Sequence, residues 1–93
     1  MISGGINLEI KLKAEVVREK SFDPHFWVKV SYDDGTVKFK NELVSVSRKP
    51  PKVNIEYSET IKKYADKIDI KQIELEIMKA IVESLLGNSG KRL

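Results

Sequence analysis

The segment DIKQIELEIMKAIVESLLG, residues 69–87, decides the fold class. Asp69 stands where an N-cap belongs, Gln72 follows three residues later as the second half of a capping box, and Ile68 and Ile73 are spaced for a hydrophobic staple. Gly87 is the expected stop. At about 100° per residue, Ile70, Ile73, Ile77, Ala80 and Ile81 form one apolar stripe, and Leu75, Met78, Val82, Leu85 and Leu86 form a second beside it. The two stripes span roughly 240° of the helix surface, and only Gln72, Glu76, Lys79 and Glu83 make a clean polar face. A helix lying on one sheet needs an apolar arc of about 100° or somewhat more. The second stripe, Leu75, Met78, Val82 and Leu86, therefore asks for another partner, and self-association with a homodimer favoured is the expectation.

Upstream of the helix the periodicity changes from 3.6 to 2. Ile6, Leu8, Ile10, Leu12, Ala14 and Val16 alternate with Asn7, Glu9, Lys11, Lys13 and Glu15, as a half-buried first strand requires. Phe26 to Tyr32 and Val37 to Leu43 flank Asp33-Asp34-Gly35-Thr36, which reads as a hairpin with Asp34-Gly35 in a type I′ turn. That register sets Tyr32 against Val37, Val30 against Phe39 and Phe26 against Leu43, all on one face. Val44 to Ser47 continues with its phase shifted by one, as a bulge or a bend into a new strand produces. The prolines of Arg48-Lys49-Pro50-Pro51-Lys52 remove two donors and predict an extended, solvated turn, after which Val53, Ile55 and Tyr57 form a fourth strand. Ser58 caps a short helix with Ile61, Tyr64, Ala65 and Ile68 on one face. The order β-β-β-β-α-α predicts an α+β fold, an antiparallel sheet with helices on one face. Residues 6–87 make the single domain, between a flexible stretch over residues 1–5 and a flexible basic tail over 88–93.

Composition narrows the function classes. At 93 residues such a domain buries only about 60 to 65% of its unfolded surface, so self-association would help to stabilise it. The chain has no cysteine, which excludes disulfides, thiolate nucleophiles and cysteine zinc sites and suits a reducing, cytoplasmic setting. No apolar run approaches a membrane span, and the first residues lack the pattern of a signal peptide. The abundance of charge, Lys, Glu and Ile, with Gln present once, resembles the balance of heat-adapted proteins. Two of the three net positive charges belong to Lys91 and Arg92, so placement of charge counts for more than its total.

Placement nominates one binding surface. The hairpin register turns Trp27, Lys29, Lys38 and Lys40 to the outer face of the sheet, with Lys11 and Lys13 joining them if the first strand is their neighbour, and it sets Lys29 against Lys40. Arg48, Lys49 and Lys52 extend this surface around the prolines. A basic sheet face with an exposed aromatic suits a single-stranded nucleic acid, by tracking phosphates and stacking a base. The same lysines equally deter edge-to-edge pairing of sheets. For catalysis the sequence nominates nothing: His25 is the only histidine and has no acid and hydroxyl at triad spacing, Asp33-Asp34 belongs to the turn, and no metal or cofactor constellation is present. The expectation is a non-enzymatic interaction module, with nucleic-acid binding as the alternative.

Overall fold

The computed structural model describes residues 10–90, with the backbone alone for 88–90. Strands β1 (Lys11–Val16), β2 (His25–Asp33), β3 (Lys38–Lys49) and β4 (Lys52–Glu56) form an antiparallel sheet in the order β1-β2-β3-β4, followed by α1 (Glu59–Tyr64) and the long α2 (Ile70–Gly90). This is the α+β arrangement that the alternation and the helix period predict. The expectations for Ile6, Leu8 and the two chain ends fall outside the described residues; β1 is described from Lys11 on, and Ile10 precedes it.

Both helices lie on one face of the sheet. Val28, Val30 and Tyr32 of β2, Val44 and Val46 of β3, Ile61 of α1 and Ile73, Ile77 and Ile81 of α2 meet there, all almost wholly removed from solvent. Burying each isoleucine contributes about 1.5 to 3 kcal/mol. Tyr32 and Phe39 stack with ring centroids 5.5 Å apart. Helix α2 crosses β1 and β2, while α1 rests on β3. Side-chain caps start each helix as its sequence predicts: the Ile61 amide donates to Ser58 Oγ and the Gln72 amide to Asp69 Oδ1. Gly87 does not stop α2, which continues to Gly90, and Gly87 itself is not left-handed. Its helix propensity penalty of about 1 kcal/mol relative to Ala lies within what neighbouring helical residues can absorb.

The β2–β3 hairpin departs from the predicted register in two places. Its loop is longer than two residues, because Asp33 pairs with Lys38 and Tyr32 with Phe39 rather than Val37. Of the central pair only Gly35 has a positive φ, 89°, so the turn is not type I′. Aspartate side chains organise it instead: Asp34 Oδ1 accepts from the Thr36 and Val37 amides, both at 2.8 Å, and Asp33 Oδ1 from the Gly35 amide. Tyr32 Oη donates to Asp34 Oδ2 at 2.8 Å. The Val37 and Thr36 amides and this hydroxyl hold the Asp34 carboxyl below its ordinary range, and burial with the same hydrogen bond raises the Tyr32 phenol.

The second departure is the position of the phase shift. Val30 pairs with Glu42 and Tyr32 with Phe39, so Lys40 and Asn41 together oppose Ser31 in a β-bulge. Asn41 takes φ 55° and its amide donates to Ser31 Oγ at 3.0 Å. Before the bulge odd residues of β3 face the helices, and after it even ones do. Leu43 consequently faces outward, opposite Lys29 and 39% exposed, where the predicted register had it inside. Lys29 does not oppose Lys40; its partners are Leu43 and, in β1, Glu15. Strand β3 then runs unbroken to Lys49, and Pro50-Pro51, joined by a cis peptide, makes a tight turn pairing Lys49 with Lys52. The extended solvated turn expected here is replaced because the ladder resumes at once.

Asn41→Val should cost about 1 to 2 kcal/mol in urea denaturation, because a β-branched residue resists the left-handed region, while Asn41→Gly should stay within a few tenths. Equal stabilities of the two variants would contradict this account of the bulge. The lowered Asp34 carboxyl stabilises the fold above the unfolded carboxylate range near about pH 4 and ceases to do so as pH falls through its folded value. Asp34→Ala should therefore be less stable at neutral pH and should lack that part of the acid-induced loss, as read by thermal melts across pH.

Candidate interaction surfaces

Helix α2 turns its two stripes to different surroundings. The first is the core stripe. In the second, Leu75 is 67% exposed, Val82 49% and Leu86 64%, while Met78 is half-buried and Leu85 leans into the core. The backbone of α2 approaches β1 and β2 alone among the described elements. Neither α1 nor the chain after the prolines wraps over the second stripe. From the buried stripe centred near Ile77, the exposed residues lie roughly 140° to 180° around the helix, too far for the same sheet to reach. Glu74 and Lys71, which the sequence places within the apolar arc, are both exposed. Glu74 lies near Tyr57, whose phenol is raised first by burial and then by that carboxylate.

The opposite face of the sheet carries no helix and divides into rows by register. Lys11, Asp33 and Lys38 form the row nearest the β2–β3 loop, and Lys13, Ser31 and Lys40 at the bulge form the next. These rows line an open depression of about 470 Å³, bringing four lysines around one aspartate. Glu15, Lys29 and Leu43 make the third row, and Trp27 with Ser45 and Glu56 the fourth. Trp27, 37% exposed, sits four residues along β2 from Ser31, about 13 Å at the rise of a strand.

The sites nominated from sequence are thus only partly assembled. Lys38 and Lys40 come together with Lys11 and Lys13, and the neighbouring strand that the sequence left conditional is the one that joins them. Lys49 and Lys52 share the outer face but stand at the far end of β3, eleven residues from Lys38 and roughly 35 Å away. Leu43, Ser45 and Ser47 intervene, so no continuous basic track runs between them. Arg48 does not belong to this face. The bulge gives it the parity of Val44 and Val46, its guanidinium sits 5.9 Å from the centre of the Phe26 ring, and its Nη1 donates to Asp23 Oδ1 at 3.2 Å. With the Arg48 amide bonded to the Pro24 carbonyl, this residue fastens the 21–25 loop.

Sequence reasoning missed several exposed apolar positions: Ile10 and Val53, placed on apolar strand faces, Leu43, hidden by the misplaced phase shift, and Phe22, 73% exposed beside the loop's cis Asp23–Pro24 peptide. His25 starts β2, exposed and opposite Ser47. Among the described residues no three His, Asp or Glu side chains gather as a metal site, and no helix is long and apolar enough to cross a membrane. Comparison with known proteins finds no match among family models, curated proteins or solved structures.

Proposed function

We propose that this protein is a small non-enzymatic interaction module of the cytoplasm that forms a homodimer through the second stripe of α2. The observation that carries this reading is the exposure of Leu75, Val82 and Leu86 on a helix whose other stripe already fills the core. A two-fold axis lets one apolar stripe cover its own copy, so a single surface suffices. Burying three such side chains from each copy, six in all, supplies roughly 10 kcal/mol, against an association cost of at least about 4 kcal/mol. Four residues a side fall short of the roughly 800 Å² per partner of standard interfaces. The dimer is accordingly weak, in the micromolar range.

Sedimentation velocity at tens of micromolar, where an association of about 6 kcal/mol is visible, should show a dimer that persists when salt is raised. At the same raised salt Val82→Glu should sediment as a monomer and keep its fold by circular dichroism, since Val82 is half exposed in the single chain. A monomeric unmodified protein at that concentration would overturn the reading.

A second reading is supported by the lysine cluster: an anionic ligand, with single-stranded nucleic acid the class that also uses Trp27. Four neutralised phosphates would give a log–log salt slope of about −2.8 for a single strand. In fluorescence anisotropy with a labelled oligonucleotide, Lys38→Glu with Lys40→Glu should abolish binding, whereas Lys49→Glu should leave it nearly intact. Binding that is insensitive to salt would rule this reading out.

A further inference from the structure

Strand β4 is an edge of the sheet, paired with β3 on one side and with no described strand on the other. Its sequence is Lys52-Val53-Asn54-Ile55-Glu56. By register Lys52, Asn54 and Glu56 face outward, and Val53 and Ile55 share the helix-bearing face with Arg48 and Val46. Two features of this strand are unfavourable in the single chain. Lys52 stands directly opposite Lys49, a like-charge pair, while Glu56 stands opposite Ser45, and neither Lys52 nor Glu56 makes an ion pair among the described residues. Val53, on the apolar face, is 44% exposed.

We propose that β4 pairs antiparallel with β4 of a second copy, about a two-fold axis through Asn54, joining two sheets into one of eight strands. In that register Lys52 faces the partner's Glu56, Glu56 faces the partner's Lys52, and Val53 and Ile55 cover one another on the helix side. Each Lys52 then has a carboxylate on the side away from Lys49. The register is specified by the sequence itself. A slip of one residue would set outward side chains against inward ones, a slip of two would set Lys52 or Glu56 against Asn54, and parallel pairing would set Lys52 beside its own copy. The other edge is less suited to the same contact: β1 turns Lys11, Lys13 and Glu15 outward, and the register that sets Lys11 against the partner's Glu15 sets Lys13 against its own copy. The Pro50-Pro51 turn at one end and the Ser58 cap just beyond the other confine the contact to five residues, so the pairing is short.

This contact goes beyond the α2 dimer, and one axis cannot generate both. With the axis at Asn54, β3 and β4 of each copy lie between the two β2 strands, which are then about 24 Å apart, while packed helices need 8 to 10 Å. A protein using both contacts assembles beyond a dimer.

The chain has no cysteine, so Asn54→Cys installs a single thiol on the proposed axis. Directly opposed residues in an antiparallel pair have Cα atoms about 4.5 to 5.5 Å apart, within disulfide range. Mild oxidation of Asn54→Cys in glutathione buffer at low salt should give a covalent dimer, in the unmodified background and equally with Val82→Glu. A Thr36→Cys control, on the exposed β2–β3 loop, should cross-link far less. Adding Lys52→Glu or Glu56→Lys should each slow cross-linking about tenfold, and combining the two should restore it. Cross-linking no greater than the control, no rescue by the double reversal, or loss of cross-linking with Val82→Glu would each overturn the proposal. The α2 dimer is read separately, by sedimentation of the Asn54 protein with and without Val82→Glu at raised salt, where the Lys52–Glu56 pairs are screened, so either contact can fail without the other.

Discussion

Asn41 holds a φ of 55° opposite Ser31, and the side-chain placement of the rest of β3 depends on the extra residue this admits. The side-chain period of a strand is two, so one inserted residue exchanges the faces of everything after it. Without the bulge, the Val37 and Phe39 parity would carry Leu43, Ser45 and Ser47 into the core. With it, Val44 and Val46 arrive there, fully buried against the helices. The same exchange moves Arg48 to the helix side, where it stacks on Phe26 and pairs with Asp23, and leaves Lys49 on the outer face. The cost of a left-handed residue is small for asparagine, and the Ser31 hydroxyl accepts its amide.

A four-stranded sheet with helices on one face leaves a great deal of a small chain uncovered. Helix α2 is the extreme case, because one side of it completes the core while a second apolar side is turned away from the sheet that the described strands form. Surface apolar residues scattered singly need no explanation, but a stripe at helical spacing is a contiguous patch, and such patches mark association surfaces. The free β4 edge poses a similar question in a different currency, since unpaired backbone groups rather than apolar side chains are left open there. A second copy of the chain is the partner proposed for both.

Charge is distributed by the same geometry. The lysines of the outer face gather where three strands meet beside the β2–β3 loop, and thin out where Leu43, Ser45 and Ser47 occupy the face. Asp33 lies among them, flanked by Lys11 and Lys38 in its row and tied by its Oδ1 to the Gly35 amide. Asp34, one residue on, spends its carboxylate on the loop backbone and on Tyr32. An anion reaching this depression meets a local excess of positive charge, whereas the prolyl end of the sheet offers Lys49 and Lys52 alone.

Local chemistry was enough to establish the class and order of the elements. Period-two alternation at Leu12, Ala14 and Val16, the apolar run of β2, the caps at Ser58 and Asp69, and the 3.6-residue period of α2 each act within one turn or one strand, and each is realised. Alternation also showed that β3 changes phase, since Phe39 and Val44 cannot both face inward on a regular strand. The place of that change was not legible, because a bulge at Lys40–Asn41 or at Val44 satisfies the same apolar pattern, and only pairing with β2 and packing under α1 and α2 selects one. The width of the α2 apolar arc was likewise readable from residues 69–87 alone, but its division into a covered and an uncovered side required the sheet. The surface sites divide in the same way: Lys38 and Lys40 were legible from the hairpin, Lys11 and Lys13 needed the strand order, and Arg48 was misplaced by one parity. Periodicity fixes relative orientation within an element, while absolute orientation is set by which other element comes to cover it, and that is a property of the tertiary structure.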